Sequence, residues 1–312
     1  MKRKILAAAA CCLLIPYVIT LLAAGKQNRK NNGQKPESGR AVLCQGEPDR
    51  QMDLEQYALA MAAAQIPAEY EKEAVKAQII LARTYLYKKL SGRSLMDEAE
   101  LGTEAWKETE RTEAWGSTAG EAEKKFQAAL SETEGMVLTC NGTLIDSVFH
   151  RRSAGKTRDG GVSFPYLRSV DSSWDLPEKE QIQINEAAGT WFPAAELAKK
   201  LRTVRGREIP EQLAAELQII GRDEAGYVTG AVLGTETYSG DEIAEALSLS
   251  SPAFTISRSG NVLWITAKGE GHGYGMSQTG AQYLAEAGQT AQEILFYYFQ
   301  NVTIEIQPKA GS

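Results

Sequence analysis

Residues 53–90 have the sequence DLEQYALAMAAAQIPAEYEKEAVKAQIILARTYLYKKL, which predicts two helices separated by a sharp break. Asp53 can cap the first helix, whose apolar residues recur at helical spacing as far as Gln65. Pro67 ends this helix, because proline cannot continue a helix and biases the residue before it toward extended dihedrals. The second helix is predicted from Glu71 to Leu90, and its apolar stripe predicts that one face is buried.

Helices and strands follow along the rest of the chain without a regular βαβ order, which predicts an α+β fold of mixed helices and antiparallel hairpins. The clearest turn is Asn141-Gly142, a pair typical of a tight hairpin. The predicted elements are an acidic loop with short helices at 91–120, a helix at 121–133, a hairpin at 136–149, helices at 194–203 and 240–248, strands at 216–220 and 226–234, a hairpin at 253–267, and helices at 279–286 and 291–298.

The N-terminus carries an apolar run from Ile5 to Ala24 with basic residues on both sides. About 20 apolar residues match the thickness of a bilayer core, whereas a cleaved signal peptide usually has an apolar region of about 7–15 residues. The length favours a retained transmembrane helix, while the small residues Ala23 and Gly25 leave cleavage open. We predict a membrane anchor or signal segment at 1–25, a flexible stalk at 26–44 and a folded domain at 45–306.

The charge balance and the cysteine content limit the possible functions. The chain has 312 residues, a formal net charge of −6 and no long basic run beyond the first apolar stretch, so nucleic acid is not expected as a partner. Two of its four cysteines, Cys44 and Cys140, lie outside the apolar run. They could pair in an oxidising compartment, but a sequence does not show their separation, so a disulfide and two thiols both stay open.

The stretch Gly269–Ala281 begins with glycine at every second position. Missing side chains let the backbone approach a ligand or another strand closely. The stretch is not a dinucleotide fingerprint, because Met276 stands where a third glycine is needed. It is not a nucleophile elbow around Ser277 either, because Thr279 occupies the last glycine position, and a serine hydrolase is therefore disfavoured.

Three separated stretches carry a resemblance to a known family. They contain LEQY, QIP, EAVKAQ and ARTY within 54–85, FHRRSAGKT, PYLRSV and WD within 149–175, and HGYGMSQTGA at 272–281. Together they bracket nearly the whole region after the apolar run, in matching order and spacing. On these motifs the chain resembles stage II sporulation protein D, a family of membrane-anchored peptidoglycan lytic transglycosylases.

The resemblance implies a glycan-binding cleft and cleavage of the β-1,4 bond between N-acetylmuramic acid and N-acetylglucosamine, with a 1,6-anhydro product. This chemistry needs a carboxyl group that protonates the leaving oxygen and then accepts the proton of the 6-hydroxyl. In the family this group is a glutamate at the end of the first helix, and Gln65 occupies that position here. An amide neither donates a proton usefully nor acts as a base near neutral pH, so we expect glycan binding with little or no cleavage.

Four other carboxyl groups lie near the motifs, where the missing acid is expected. Glu69, Glu71 and Glu73 are expected at the solvated start of the second helix, where acidic residues favour the positive end of the helix dipole. Glu270 lies inside the glycine-rich stretch, at a position where the family commonly has an aromatic residue. It is the candidate for a relocated acid if that loop faces Gln65.

The motifs also supply the candidates for substrate binding. No metal or other cofactor is predicted, because a structural zinc site needs four ligands and no cysteine accompanies His150 in its motif. For His150 a hydrogen-bonded structural role is favoured, whereas the flanking glycines favour a cleft position for His272. The candidates are Arg83, His150, Ser153, Gly155, Tyr166, His272, Gly273, Ser277 and Gln278.

The resemblance leaves three functions open. They are a transglycosylase that thins peptidoglycan during engulfment in sporulation, a catalytically inactive glycan-binding scaffold, and an enhancer of a separate cell-wall amidase. The expected partners are peptidoglycan glycan strands, the membrane through the N-terminal helix, and other membrane-bound engulfment proteins. The resemblance further implies that a single-pass anchor holds the folded domain on the extracytoplasmic side of the cell membrane.

Overall fold

The computed structural model describes residues 36–45, 50–176, 189–206 and 208–309. Helices and mainly antiparallel sheets are mixed in it, which confirms the predicted α+β class. The helices are α1 Leu54–Gln65, α2 Lys72–Leu90, α3 Glu108–Trp115, α4 Ala119–Glu132, α5 Ala194–Arg205, α6 Glu211–Ala214, α7 Gly240–Leu247, α8 Gln278–Glu286 and α9 Ala291–Tyr298. The strands are β1 Ala41–Leu43, β2 Gln51–Asp53, β3 Leu95–Asp97, β4 Met136–Cys140, β5 Thr143–Leu144, β6 Phe149–His150, β7 Thr190–Pro193, β8 Gln218–Arg222, β9 Val228–Leu233, β10 Glu236–Tyr238, β11 Phe254–Ser259, β12 Val262–Ala267, β13 Met276–Ser277 and β14 Thr303–Ile306.

The two leading helices begin and end where the sequence predicts. The Asp53 carboxylate accepts a hydrogen bond from the main-chain nitrogen of Glu55 and so caps α1. Ile66 is extended, at φ −118° and ψ 141°, immediately before Pro67. Helix α2 ends at Leu90, and the left-handed φ of 50° at the following Ser91 closes the last turn. The chain therefore turns back sharply between α1 and α2.

Helix α2 lies at the centre of the first hydrophobic core, in contact with α1, α4, α8, α9 and β4. Its apolar stripe is fully buried, as the helical spacing predicts. Because α8 and α9 come from the end of the chain, this core joins the first and last thirds of the sequence. Its largest members include Leu59, Ile79, Phe126, Leu138, Tyr298 and Phe299.

A buried ion pair links α1 to α2. Arg83 is fully buried, and its Nη2 lies 2.6 Å from Oε2 of Glu55. Its Nη1 donates to the main-chain oxygen of Met136 across 3.1 Å. The neighbouring Thr84 accepts a hydrogen bond from the main-chain nitrogen of Leu138 across 3.0 Å. The two polar residues Arg83 and Thr84 therefore hold β4 against α2. Because Arg83 is buried, it does not reach a surface on which it could touch a substrate.

A second hydrophobic core lies between α5, α7 and the sheets β11-β12-β7 and β10-β9-β8. We call this part of the chain, residues 189–206 and 208–268, the second lobe. Arg158 joins it to the rest of the protein: its Nε lies 2.9 Å from Asp223 and its Nη1 lies 3.1 Å from Asp241. The predicted hairpin at 253–267 is confirmed as β11 and β12, with Gly260 at a φ of 58° in the turn.

The predicted hairpin at 136–149 is shorter in the structure. Strands β4 and β5 meet around Asn141 and Gly142, whose φ values of 51° and 73° suit a type I′ turn. The pairing ends at Leu144, and Phe149 instead pairs in parallel with Met276. The free edge of β4 is taken by β14, which the sequence does not predict. The extension to Phe149 was wrong because that residue joins the glycine-rich stretch.

The N-terminal predictions are only partly within the described residues. The predicted anchor at Ile5–Ala24 lies outside them, and within the described ranges no helix is both long and apolar enough to cross a bilayer. The predicted stalk at 26–44 differs from the structure at its end, because β1 pairs with β2 and β3 and buries Val42 completely. The folded region therefore begins before residue 45. Cys44 and Cys140 are both thiols.

Candidate functional site

Three glutamine side chains form a hydrogen-bonded network at the end of α1, which we call the glutamine network. Nε2 of Gln78 donates to Oε1 of Gln65 across 2.8 Å. Nε2 of Gln278 lies 3.2 Å from Oε1 of Gln78 and 2.9 Å from the main-chain oxygen of Gln65. The network thus brings the first and third motifs of the sequence together.

The elements of the fold fix each member of the glutamine network. Gln65 is the last residue of α1, because the break at Pro67 follows it, and its side chain is partly exposed. Gln78 lies in the second turn of α2 and is fully buried. Gln278 is the first residue of α8, held there by Ser277, which caps α8 by accepting a hydrogen bond from the main-chain nitrogen of Gly280.

An open cleft of about 790 Å³ lies near the end of α1, although Gln65 itself does not line it. Nε2 of Gln65 lies 3.4 Å from the hydroxyl of Thr103, which lines this cleft. The main-chain nitrogen of Trp106 donates to the oxygen of Ala60 across 3.0 Å and so holds the cleft wall against α1. The acidic side chains along the cleft are those of Glu98, Glu104, Glu110 and Glu113.

The two histidines lie side by side, with ring centroids 5.9 Å apart. His150 is buried, and its Nδ1 lies 3.0 Å from the main-chain oxygen of Tyr274, so Nδ1 carries the proton. Burial lowers the pKa of His150 to about 3, with a further lowering from His272. Burial also lowers the pKa of His272, whose Nδ1 accepts from the main-chain nitrogen of Tyr274. Both imidazoles are therefore neutral near pH 7.

The motif serines lie inside the protein around Asp175. Ser153 is fully buried, and its main-chain nitrogen donates to Oδ2 of Asp175 across 2.8 Å. Its hydroxyl accepts from the main-chain nitrogen of Gly155 across 3.2 Å, where Gly155 has a φ of 107°. Ser277 is fully buried as well. Burial raises the pKa of Asp175. These side chains connect the second and third motifs and do not reach the surface.

The alternating glycines let the backbone pass close to other segments of the same chain. An added Cβ at Gly273 would overlap the ring of Tyr227, and one at Gly275 would overlap the main-chain oxygen of Val148. Both glycines have positive φ, at 83° and 70°. At these two positions the close approach is to other segments of the same chain, a tyrosine ring and a main-chain oxygen.

Tyr166 is also an internal residue. Its side chain is 7% exposed, so its ring does not present a face to a sugar. Its hydroxyl accepts from the main-chain nitrogen of Asp146 across 2.9 Å and lies 3.1 Å from Oδ2 of the same residue. Burial raises the pKa of Tyr166 to about 12.

Glu270 is exposed, and its main chain forms a two-bond bridge with Arg152. The nitrogen of Glu270 donates to the oxygen of Arg152 across 2.7 Å, and the reverse bond measures 3.0 Å. Within the described residues, no hydrogen bond joins Glu270 to the glutamine network. Its carboxylate is therefore available to solvent but is not positioned on Gln65.

Comparison with known proteins identifies the family of the chain. A family model described as "Stage II sporulation protein" matches residues 48–140. Stage II sporulation protein D of Bacillus subtilis (strain 168) is 32% identical over 263 residues, which cover 80% of this chain and 74% of that protein. This chain belongs to the stage II sporulation protein D family. The stage II sporulation protein D of Bacillus amyloliquefaciens is 31% identical over 264 residues, covering 80% of this chain and 74% of that protein.

The stage II sporulation protein D family was the one predicted from the motifs, and the prediction is confirmed. The chain is thus a sporulation protein of that family. A more distant similarity connects it to the amidase enhancer of Bacillus subtilis (strain 168), which is 25% identical over 289 residues, covering 77% of this chain and 39% of that protein.

Two residues at the site of this sporulation protein, Gln78 and Thr103, were not among the candidates predicted from the sequence. Gln78 stands within a quoted motif, and a polar residue on the buried face of a predicted helix was the signal that could have found it. Thr103 lies in the acidic loop at 91–120, where nothing in the local pattern distinguishes it from its neighbours.

Within the described ranges, no group of three or more His, Cys, Asp or Glu side chains is arranged as a metal site.

Proposed function

We propose that this protein binds peptidoglycan glycan strands at the glutamine network and cleaves them poorly or not at all. The observation that carries the proposal is the position of the Gln65 amide, at the end of α1 and within 3.4 Å of the hydroxyl of Thr103, which lines the open cleft. The resemblance implies the substrate class and the catalytic position of residue 65, and the proposal is supported by the polar, partly exposed side chain found there. The domain would act on the extracytoplasmic side of the cell membrane, held there by the N-terminal segment.

The hydrogen bonds of Gln65 support a binding role for this residue. Its Oε1 accepts a hydrogen bond from Gln78, and its Nε2 is the group that lies beside the hydroxyl of Thr103. An amide nitrogen can donate a hydrogen bond to a glycosidic oxygen, but it does not release a proton to a leaving group. General acid–base assistance is worth about 10²–10⁴-fold in rate, so its loss favours binding over turnover.

The surroundings of Gln65 would accept a carboxylate without rearrangement. Glutamate has the shape of glutamine, and one carboxylate oxygen would accept from Nε2 of Gln78 as Oε1 does now. The second oxygen would take the position of Nε2, where the hydroxyl of Thr103 can rotate to donate to it. The geometry therefore supports a site that lacks the proton donor and retains the rest of its architecture.

The relative named amidase enhancer favours a second candidate function. A glycan-binding protein without its own proton donor can position or stimulate a separate cell-wall hydrolase. In this alternative the glutamine network still binds the glycan strand, and a partner enzyme performs the cleavage.

Digestion of peptidoglycan sacculi by the purified full-length protein tests the proposal. Mass spectrometry of the soluble fraction would detect anhydro-muropeptides, and sedimentation with sacculi would measure binding. We expect the wild type to bind without releasing anhydro products, and Gln65→Glu to release them. Release by the wild type that disappears in Glu270→Gln would instead identify Glu270 as a relocated acid. Absence of sacculus binding by the wild type would contradict the proposal as a whole.

A further inference from the structure

Two tryptophans stand directly opposite each other on the surface of the second lobe. Trp191 of β7 pairs with Trp264 of β12, and their ring centroids are 4.4 Å apart with planes inclined at 42°. The Trp191 side chain is 56% exposed. An exposed aromatic pair of this kind is not needed for the core, since an apolar ring left in water gains no burial energy.

Strand alternation explains which side of the sheet carries the pair. Phe192, Leu263 and Ile265 point to the opposite side and are buried in the second hydrophobic core. The tryptophans therefore point outward, and the core does not depend on them. The register places eight residues on this outer face, of which Thr266 is covered, and we call them the tryptophan face: Trp191, Pro193, Thr255, Ser257, Ser259, Val262, Trp264 and Thr266.

The tryptophan face carries no charged side chain, although 24% of the residues of the chain are charged. A phosphate, a nucleic acid or an acidic peptide would need basic groups here. The face offers instead an apolar ring surface flanked by the hydroxyls of Thr255 and Ser257. This combination suits a neutral sugar, whose C–H face is apolar and whose hydroxyl and acetamido groups form hydrogen bonds at the ring edge.

The pair is held in place before any ligand binds. A Cβ added to Gly189 would overlap the ring of Trp264, so the backbone of Gly189 packs directly against that ring. Trp191 covers another part of the same ring. Trp264 is thereby fixed as a support, and Trp191 offers the exposed ring face. A rigid aromatic surface loses little conformational entropy on binding.

We propose that the tryptophan face is a second glycan-binding site, which holds a neutral β-1,4-linked N-acetylhexosamine strand. The proposal rests on the proposed function, because it extends glycan binding from the glutamine network to the second lobe. With two sites on one protein, a long strand binds more tightly than either site alone would hold it.

Indole resonances provide a direct test, because the chain contains five tryptophans with one indole N–H each. The probe is chitohexaose, a soluble β-1,4-linked oligomer of N-acetylglucosamine, added to the ¹⁵N-labelled full-length protein in detergent micelles. We expect saturable shifts of the Trp191 and Trp264 indole signals. We expect Trp191→Ala to weaken chitohexaose binding at this site about tenfold, the loss typical of an exposed aromatic anchor. Ile220→Ala removes a side chain of the same lobe that is 61% exposed, and should leave the affinity unchanged.

Sedimentation with sacculi separates this inference from the proposed function. Trp191→Ala should reduce sacculus binding, whereas Ile220→Ala should not. If the Trp191 and Trp264 signals do not move and Trp191→Ala sediments like the wild type, the tryptophan face is not a glycan site, while the proposed function stands. If the wild type does not bind sacculi but both indole signals still shift, the proposed function fails and the tryptophan face is confirmed.

Discussion

The side-chain amide of Gln78 donates to Oε1 of Gln65 across 2.8 Å and so connects two helices at the candidate site. The same Gln78 accepts from Gln278, which makes it the shared partner of both other glutamines. Because Gln78 is fully buried, neither of its hydrogen bonds can be replaced by water without opening the core.

Replacing Gln78 should therefore lower the stability of the protein. Gln78→Leu leaves Gln65 Oε1 without its donor and removes one acceptor of Gln278. We expect a loss of about 1–3 kcal/mol in the free energy of unfolding, the usual result of leaving buried polar groups without partners. Urea denaturation followed by circular dichroism measures it. Gln56→Leu alters an exposed residue of α1 and serves as the control. Equal stability of the two variants would contradict the role of the network.

Arg83 was a candidate for substrate binding, and its burial predicts a structural effect instead. Arg83→Met leaves the Glu55 carboxylate in the core without its guanidinium partner, which costs about 3–5 kcal/mol for a buried pair. Thermal denaturation should show a much larger decrease in Tm than Arg93→Met, which breaks an exposed pair with Glu100. If Arg83→Met keeps the Tm of the wild type but no longer binds sacculi, Arg83 contributes to substrate binding after all.

The histidine pair predicts a loss of stability in acid. The pKa of His150 is about 3 in the folded protein, against about 6.5 in an unfolded chain. Below pH 6.5 the unfolded chain takes up a proton that the folded protein does not, so His150 stabilises the fold fully above that pH and progressively less as the pH falls. The free energy of unfolding should fall by up to about 1.4 kcal/mol per pH unit from this group, until the pH approaches 3.

His150→Asn isolates this contribution, because an asparagine amide can still donate toward the main-chain oxygen of Tyr274. Urea denaturation at pH values from about 4.5 to about 7.5 covers the window in which the group contributes. We expect the variant to be less stable than the wild type at neutral pH and to show a shallower decrease toward acid. Parallel decreases in both proteins would mean that His150 is protonated in the folded state.

Features that depend on neighbouring residues were predicted from the sequence, whereas contacts between residues far apart in the chain were not. Helices α1 and α2 were predicted at their ends, since Asp53 and Pro67 act on their immediate neighbours. The pairing of Thr303 with Thr139 was not predicted, because β propensity does not identify a partner so far away in sequence. Strand β1 was assigned to the stalk for a related reason: a strand of three residues is too short to show alternation, and pairing stabilises it.

The sequence predicted the candidate site only in part as well. Gln65 and Gln278 were identified because the family motifs contain them, and the structure places them in contact. Ser153, Ser277 and Tyr166 belong to the same motifs and are buried, as Gln278 is, so that only Gln65 is partly exposed. A family motif includes positions that the fold needs as well as positions that bind a substrate. Buried and exposed residues therefore occur in it together. The exposure of a motif residue depends on the packing of distant segments, which the sequence does not show.

Two helix glycines, Gly280 and Gly120, provide a matched pair for the last prediction. Neither has a positive φ, so alanine brings no backbone strain at either position. A Cβ at Gly280 would overlap the hydroxyl of Tyr298 and lie 2.8 Å from Oγ of Ser172, whereas a Cβ at Gly120 meets nothing within 4 Å. We expect Gly280→Ala to lower the free energy of unfolding by about 1–3 kcal/mol through overpacking. Gly120→Ala should raise it by about 0.5–1 kcal/mol, as alanine favours a helix.

Removing the Tyr298 hydroxyl should relieve most of the overlap at Gly280. Tyr298→Phe loses the hydrogen bond with Ser172, which has a length of 3.1 Å, and is expected to be destabilising by itself. In the double variant the new methyl group occupies the space that the hydroxyl leaves. The double variant should therefore lose less free energy of unfolding than the sum of the losses in the two single variants. A double-mutant cycle in urea measures this coupling. Strict additivity would mean that Gly280 is required for a reason other than its contact with Tyr298.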